Sequence, residues 1–362
     1  MNEQINWDDI LYDIANNRAV LLIGHDLLPH ESDSIQEDLY AHLKSTGDDP
    51  GIDNFYPSDG FFLFRSQRYK ISAQKKAADF FKSRQPKEEL LQKITELPFR
   101  MVISINPDKA LERAFTRYAA EPQFDYFTWR PNKKDKEITE PSPDLPLVYN
   151  IFGCVEHYES LLLDYEDLFD HLKKLLNNEN IPEVIRTILN ETETYVFLGF
   201  RLEKWYTQLL FRYLNMKEHH FDDKNKNYTC RPPLPDDSDT MLFFKKQFNV
   251  SCYGATEAFL EELHRRYAQR VEQEQDEHPS LNPNEKVARY IADGKTRHAL
   301  NVLTPHQDGW YQDDRNVLVM LKADFARYRE RQRKRLAADG DLALELRQLN
   351  HRILEFSNQK LA

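Results

Sequence analysis

Four short apolar runs each end on a loop rich in polar residues or glycine, and this repetition constrains the fold of the chain more than any other feature. Met101-Val102-Ile103 delivers Ser104-Ile105-Asn106-Pro107-Asp108, which puts an asparagine and an aspartate on a turn that opens a helix. Ala19 to Asp26, Leu147 to Gly153 and Tyr195 to Phe200 have the same strand-to-loop form. Open α/β sheets bind ligands in the crevice at the carboxyl ends of their strands. The four loops are therefore expected to share one crevice.

Helical periodicity fills the intervals. Trp7, Ile10, Leu11 and Ile14 recur at helical spacing before the strand Ala19 to Ile23. From His30 to Gly60 the chain is polar and turn-rich apart from one helical segment at Ile35, Leu39 and Leu43, which suits a loop or small cap over the crevice. Phe61 to Leu97 reads as helices, the last running from Glu88 and stopped by Pro98. Asp108 is placed to cap the helix carrying Leu111, Ala114, Phe115 and Tyr118. Phe124 to Trp129 reads as a short aromatic strand, followed by a charged loop to Pro146. The helices Tyr165 to Leu176 and Pro182 to Leu189 and the strand Tyr195 to Leu198 restore the alternation, which argues for a doubly wound parallel sheet.

The composition shifts near Glu272. Gln273 to Ser280 is a polar run broken by Pro279, and Pro283 follows, so the expected division is residues 1–271, a linker 272–283, and residues 284–362. Beyond the linker, Val287, Tyr290 and Ile291 mark one short helix and Ala299, Leu300 and Leu303 a second. Leu318, Leu321, Phe325 and Tyr328 stripe a third, and Leu342, Leu346, Leu349, Ile353 and Phe356 a fourth after a break at Gly340. This predicts a small all-α helical bundle. The basic run Arg327 to Arg335 on the third helix reads as a solvated face, or as a docking surface for an acidic partner or a second copy.

Composition narrows the function classes. A formal net charge of -11 gives no chain-wide basic field to neutralise phosphates, so direct sequence-specific nucleic-acid binding is not expected. Cys154, Cys230 and Cys252 lack metal-site spacing and leave one thiol over in any disulfide scheme, which points to reduced thiols in a cytoplasmic protein. No apolar run approaches membrane-spanning length. The run Glu218-His219-His220-Phe221-Asp222-Asp223 is polar throughout and reads as a solvated loop; no metal site is expected.

The ordered set of loops resembles the sirtuin-like domain of bacterial antiphage-defence proteins. Val20-Leu21-Leu22-Ile23-Gly24 stands at the family's first glycine-containing turn, and Asn106 and Asp108 match its asparagine-x-aspartate signature. Val148-Tyr149-Asn150-Ile151-Phe152-Gly153 stands where the family has a strand ending in histidine-glycine, and Val196-Phe197-Leu198-Gly199-Phe200 matches its late glycine-aromatic strand. The resemblance implies a Rossmann-like α/β fold over roughly the first three quarters of the chain. The tail is similar to effector-associated helical adaptor domains, which implies a partner defence protein and a homo-oligomer.

The resemblance also implies NAD, or ADP-ribose, as substrate or ligand. Asn106, Asp108 and His157 are then the candidate catalytic residues: Asn106 for the ribose or a water, Asp108 for the nicotinamide carboxamide. Gly24, His25, Asp26, Ser104, Phe152, Gly153, Gly199 and Phe200 are the candidate binding residues. Two departures matter. Phe152 occupies the place of the family's histidine and cannot accept a proton, which leaves His25 and His157 as candidate bases. In the first turn the family's second small residue is replaced by Asp26, which sets a negative charge where phosphates are expected. Either the phosphates sit farther away, a cation intervenes, or the crevice has lost tight dinucleotide binding. Two functions follow: an NAD-consuming effector that releases nicotinamide and ADP-ribose, or a catalytically degenerate sensor or scaffold that acts through its tail. Three scattered cysteines supply no four-cysteine zinc module, so a sirtuin-type protein deacylase is not expected.

Overall fold

The computed structural model describes residues 5–361 apart from 46–48, 120, 131–135, 203, 215–226, 231–238, 276–280, 293–295, 304–305, 307–309 and 334–338. Helix α1 (Trp7–Ala15), started by the Asn6 side chain accepting from the Asp9 N–H, leads into β1 (Ala19–Ile23). A three-residue 3-10 turn (His25–Leu27), α2 (Ile35–Ser45), β2 (Ile52–Tyr56), β3 (Phe61–Phe64), α3 (Gln67–Ser83) and α4 (Glu88–Glu96) follow. Next come β4 (Met101–Ser104), α5 (Ala110–Tyr118), β5 (Gln123–Tyr126), β6 (Leu147–Asn150), α6 (Tyr165–Leu176), α7 (Glu183–Glu191) and β7 (Thr194–Leu198). Then α8 (Trp205–Tyr213), β8 (Asn227–Cys230), α9 (Asp239–Phe248), β9 (Val250–Tyr253) and α10 (Thr256–Gln275) complete the series.

Seven of these strands form one sheet in the order β5-β6-β4-β1-β7-β8-β9, and every neighbouring pair is parallel. A parallel sheet covered on both faces needs strands that are apolar at every position. β1 is buried throughout: Val20 and Leu22 join the core on one face, Ala19, Leu21 and Ile23 that on the other. β4, β6 and β7 divide in the same way, with Met101, Leu147 and Phe197 on the first face and Val102, Val148 and Val196 on the second. Each such side chain contributes about 1.5–3 kcal/mol of burial free energy, so a slip of register is strongly disfavoured.

The structure departs from the sequence reading in several places. Phe61–Phe64 is a strand, not the start of a helix, and pairs antiparallel with β2 inside the stretch read as polar loop. The hairpin's Phe62 packs with Leu39 and Leu43 of α2 and Ala77 and Phe81 of α3 in a separate core, which makes the segment a folded cap with its own interior. β8, β9 and α10 extend the α/β unit beyond the strands read from the sequence.

The chain divides into compact units Met1–Tyr267 and Ala268–Ala362, and α10 runs on to Gln275, so Glu272 to Gln275 of the expected linker are helical. The second unit is helical, with α11 (Pro283–Ala292), α12 (Thr296–Leu303), α13 (Gln312–Arg333) and α14 (Asp339–Lys360). Gly340, expected at a break, lies in the first turn of α14. Asn282 and Glu285 form a reciprocal cap at the start of α11, each side chain accepting from the other's N–H at 2.9 Å. Val287, Tyr290, Leu303, Leu321, Ile353 and Phe356 are among the residues of this unit's own core. No described helix is long and apolar enough to cross a membrane.

Candidate active site

β1 sits at the topological switch point, with β4 on one side and β7 on the other, while the connection after β7 continues outward to β8. Ligand crevices in such sheets open where the connections diverge. The turns after β1 and β7 are bound to each other: Gly24 N–H donates to Leu198 O at 2.8 Å and Asp26 N–H to Gly199 O at 3.1 Å. A Cβ on Gly24 would lie 2.1 Å from Gly199 O, and Gly199 itself has φ +68°. The glycine at the end of β1 thus makes room for the turn of a neighbouring strand.

Asn106 is 4% exposed and held at three points. Its N–H donates to Ser104 Oγ at 3.0 Å, its Nδ2 donates to Gly24 O at 3.0 Å, and its Oδ1 lies 2.7 Å from His25 Nδ1. A backbone carbonyl only accepts, so Gly24 fixes which end of the amide is the NH2. Oδ1 must then face His25, and His25 must carry its proton on Nδ1. The remaining ring nitrogen, Nε2, therefore holds the lone pair, and it makes no protein hydrogen bond among the described residues. Burial lowers the His25 pKa to about 4, with the Asn106 hydrogen bond opposing the shift, so the ring is neutral at neutral pH.

Asp108 is buried, and its Oδ1 accepts from Ala110 N–H at 2.7 Å, which ties off the first residue of α5. Burial pushes its pKa up to about 6. The Asn150 side chain, at the end of β6, donates to Asp108 O at 2.7 Å and joins the loops after β4 and β6. Gly153 has φ +92°, and a Cβ there would meet Ser160 O at 2.3 Å, so this glycine too is set by backbone packing.

His25, Ile105, Phe152, Phe200, Arg201 and Lys204 line a shallow, open depression, with Gln36 of the cap and Tyr206, Thr207 and Leu210 of α8 completing its wall. Phe152 is 7% exposed and packs edge-on against His171 at 5.2 Å, and Phe200 packs edge-on against Phe197 at 5.4 Å. His157 does not line this depression. It is half exposed, stacked on Tyr126 at 5.1 Å and 4.0 Å from Glu159.

Asp26 is paired across the crevice. Arg201 Nε donates to its two carboxylate oxygens at 2.8 and 3.1 Å. Sequence reasoning assigned no role to Arg201, Lys204 or Asn150. The signal for the first was an unmatched aspartate in one turn and an arginine after the glycine-aromatic pair of another. Glu203 and the run Glu218 to Asp223 lie outside the described residues.

Residues 100–251 match a family described as SIR2-like domain. The match takes in Asn106, Asp108, Phe152, Gly199 and Arg201, but not the first turn with His25 and Asp26. No curated protein matches the chain.

Proposed function

From the SIR2-like domain of residues 100–251 as premise, we propose that the crevice takes NAD as substrate and cleaves its bond between nicotinamide and ribose, giving nicotinamide and ADP-ribose. The observation that carries this reading is the Asn106–His25 pair, which presents a neutral imidazole lone pair at the edge of a depression walled by Ile105, Phe152 and Phe200. The residues are compatible with such a substrate: an apolar wall offers the nicotinamide a desolvating face, and Arg201 and Lys204 supply positive charge for phosphates.

In the reaction the bond from the anomeric carbon to the pyridinium nitrogen breaks, and nicotinamide leaves with the electron pair. Water oxygen bonds to the anomeric carbon, and His25 Nε2 takes the water proton. A base of pKa about 4 is weak. It is sufficient where the sugar is already cationic when water attacks, because the water grows acidic as its bond forms. Asp108 does not line the depression and its Oδ1 is engaged by Ala110 N–H, so it acts by holding the loop after β4 in place, not by touching the substrate. His25 thus takes the role first divided between it and His157.

The wider reading is a cytoplasmic defence effector whose helical unit couples it to a partner protein or to a second copy. It is supported by the separate core of residues 268–362. A second reading, an NAD or ADP-ribose sensor without turnover, is favoured by Phe152 in place of a base and packed against His171. Incubating the purified full-length chain with NAD separates them. Nicotinamide release supports the enzyme, ADP-ribose binding without release supports the sensor, and neither binding nor release contradicts both.

A further inference from the structure

Most of the backbone donors in the turn after β1, which would normally cradle a phosphate, are already committed. The N–H groups of Gly24, Asp26, Leu27 and Leu28 all donate to backbone carbonyls of this turn or of β7 and its turn. The turn opens onto three residues of 3-10 helix, which aims no helix N-terminus at the crevice. Phosphate recognition here falls largely to side chains.

Arg201 and Lys204 are the cations of the depression, and both are held by the protein's own oxygens. Arg201 Nε grips the Asp26 carboxylate, and one of its Nη groups donates to Asp33 O, while Lys204 Nζ donates to Ser58 O. The Asp26–Arg201 pair is only partly buried, with side chains 28% and 25% exposed, so an incoming anion can reach it. The other Nη of Arg201 makes no protein hydrogen bond among the described residues. On its far side, Asp26 Oδ1 lies 3.8 Å from His30 Nε2, a second partner within the turn's own neighbourhood.

We propose that Arg201 anchors the diphosphate of an ADP-ribose-containing ligand and that Asp26 is its built-in competitor, a carboxylate that holds the guanidinium until a diphosphate displaces it. A guanidinium binds carboxylate and phosphate oxygens through the same N–H donors, so a diphosphate can take the place of Asp26 on Arg201, and its greater charge offsets the loss of the carboxylate's partner. Asp26 then selects for ligands anionic enough to evict it, and nucleosides without phosphate gain nothing at Arg201. This rests on the reading that the crevice takes NAD or ADP-ribose, but it does not depend on turnover.

The test is calorimetric binding of ADP-ribose and of adenosine to the full-length chain, its Asp26→Asn variant and its Arg201→Gln variant. Removing the competing charge should tighten ADP-ribose binding about tenfold in Asp26→Asn, removing the anchor should weaken it at least tenfold in Arg201→Gln, and adenosine affinity should change in neither. Inorganic pyrophosphate should compete with ADP-ribose on the wild-type chain, which decides the matter if a variant fails to fold. Equal or weaker ADP-ribose binding in a folded Asp26→Asn, or failure of pyrophosphate to compete, overturns the inference. A chain that binds as described but releases no nicotinamide keeps this inference and loses the enzyme reading; one that turns over NAD with Asp26→Asn binding unchanged does the reverse.

Discussion

His171 shows what a single buried group contributes. It is fully buried on α6, ringed by Phe127 at 4.7 Å, Phe152 at 5.2 Å and Trp129 at 5.8 Å, and among the described residues neither ring nitrogen has a hydrogen-bond partner. Burial alone drives its pKa down to about 3, so the folded chain keeps it neutral. The unfolded chain protonates it below about 6.5. Its contribution to stability is therefore intact above that pH, and between about 6.5 and 3 it is lost by about 1.4 kcal/mol for each unit of acidification. Replacing it with His171→Leu should remove that slope, so that the variant gains about 2 kcal/mol relative to wild type between pH 7.5 and pH 5. Urea denaturation at the two pH values checks this, and an equal change in both proteins contradicts it. His25 and His157 looked alike in the sequence as candidate bases. What separates them is an amide 81 residues away, a pairing set by sheet order and invisible to local patterning.

At the scale of elements, legibility followed apolar content and not burial alone. β1, β4, β6 and β7 are buried on both faces and read as apolar runs, whereas β8, although equally buried, carries Asn227 and Thr229, and β9 is half exposed along most of its length. Four-residue strands of mixed polarity give no periodic signal. The cap hairpin was missed for a related reason: β2 has no fully buried residue, and Phe61-Phe62-Leu63-Phe64 carries apolar side chains on both faces of the strand. Nor did the sequence give any sign of how the cap is tied down. Lys70 of α3 is buried and reaches Asp164 at 2.6 Å and Asp167 at 2.8 Å at the start of α6, and Gln74 donates to Leu161 O at 3.2 Å. Lys70→Ala would leave two largely buried carboxylates with only Arg130, 3.6 Å from Asp167, and the Asp164 helix cap as compensation, so it should destabilise the α/β unit by about 2–4 kcal/mol in urea denaturation. A loss under about 1 kcal/mol would mean that the cap is held by its apolar core alone.

For the molecule as a whole, the two units and the crevice make separate claims. The two compact units divide within α10, each has a core of its own, and the sequence just past that helix, Asp276 to Asn282, is polar and broken by Pro279. A glutamate-specific protease should cut first at Glu277, and a chain ending at Gln275 should keep the α/β fold by circular dichroism. Loss of that fold on truncation would make the two units one domain. The central claim, that the Asn106–His25 pair works on NAD, is tested most directly by nicotinamide release from the full-length chain and from three variants. His25→Phe and Asn106→Ala should each slow release by about 100-fold or more at unchanged fold, because one removes the acceptor and the other the amide that orients it, while His157→Ala should stay within about twofold of wild type. Release at wild-type rate by His25→Phe or Asn106→Ala, or loss of release in His157→Ala, would contradict the account.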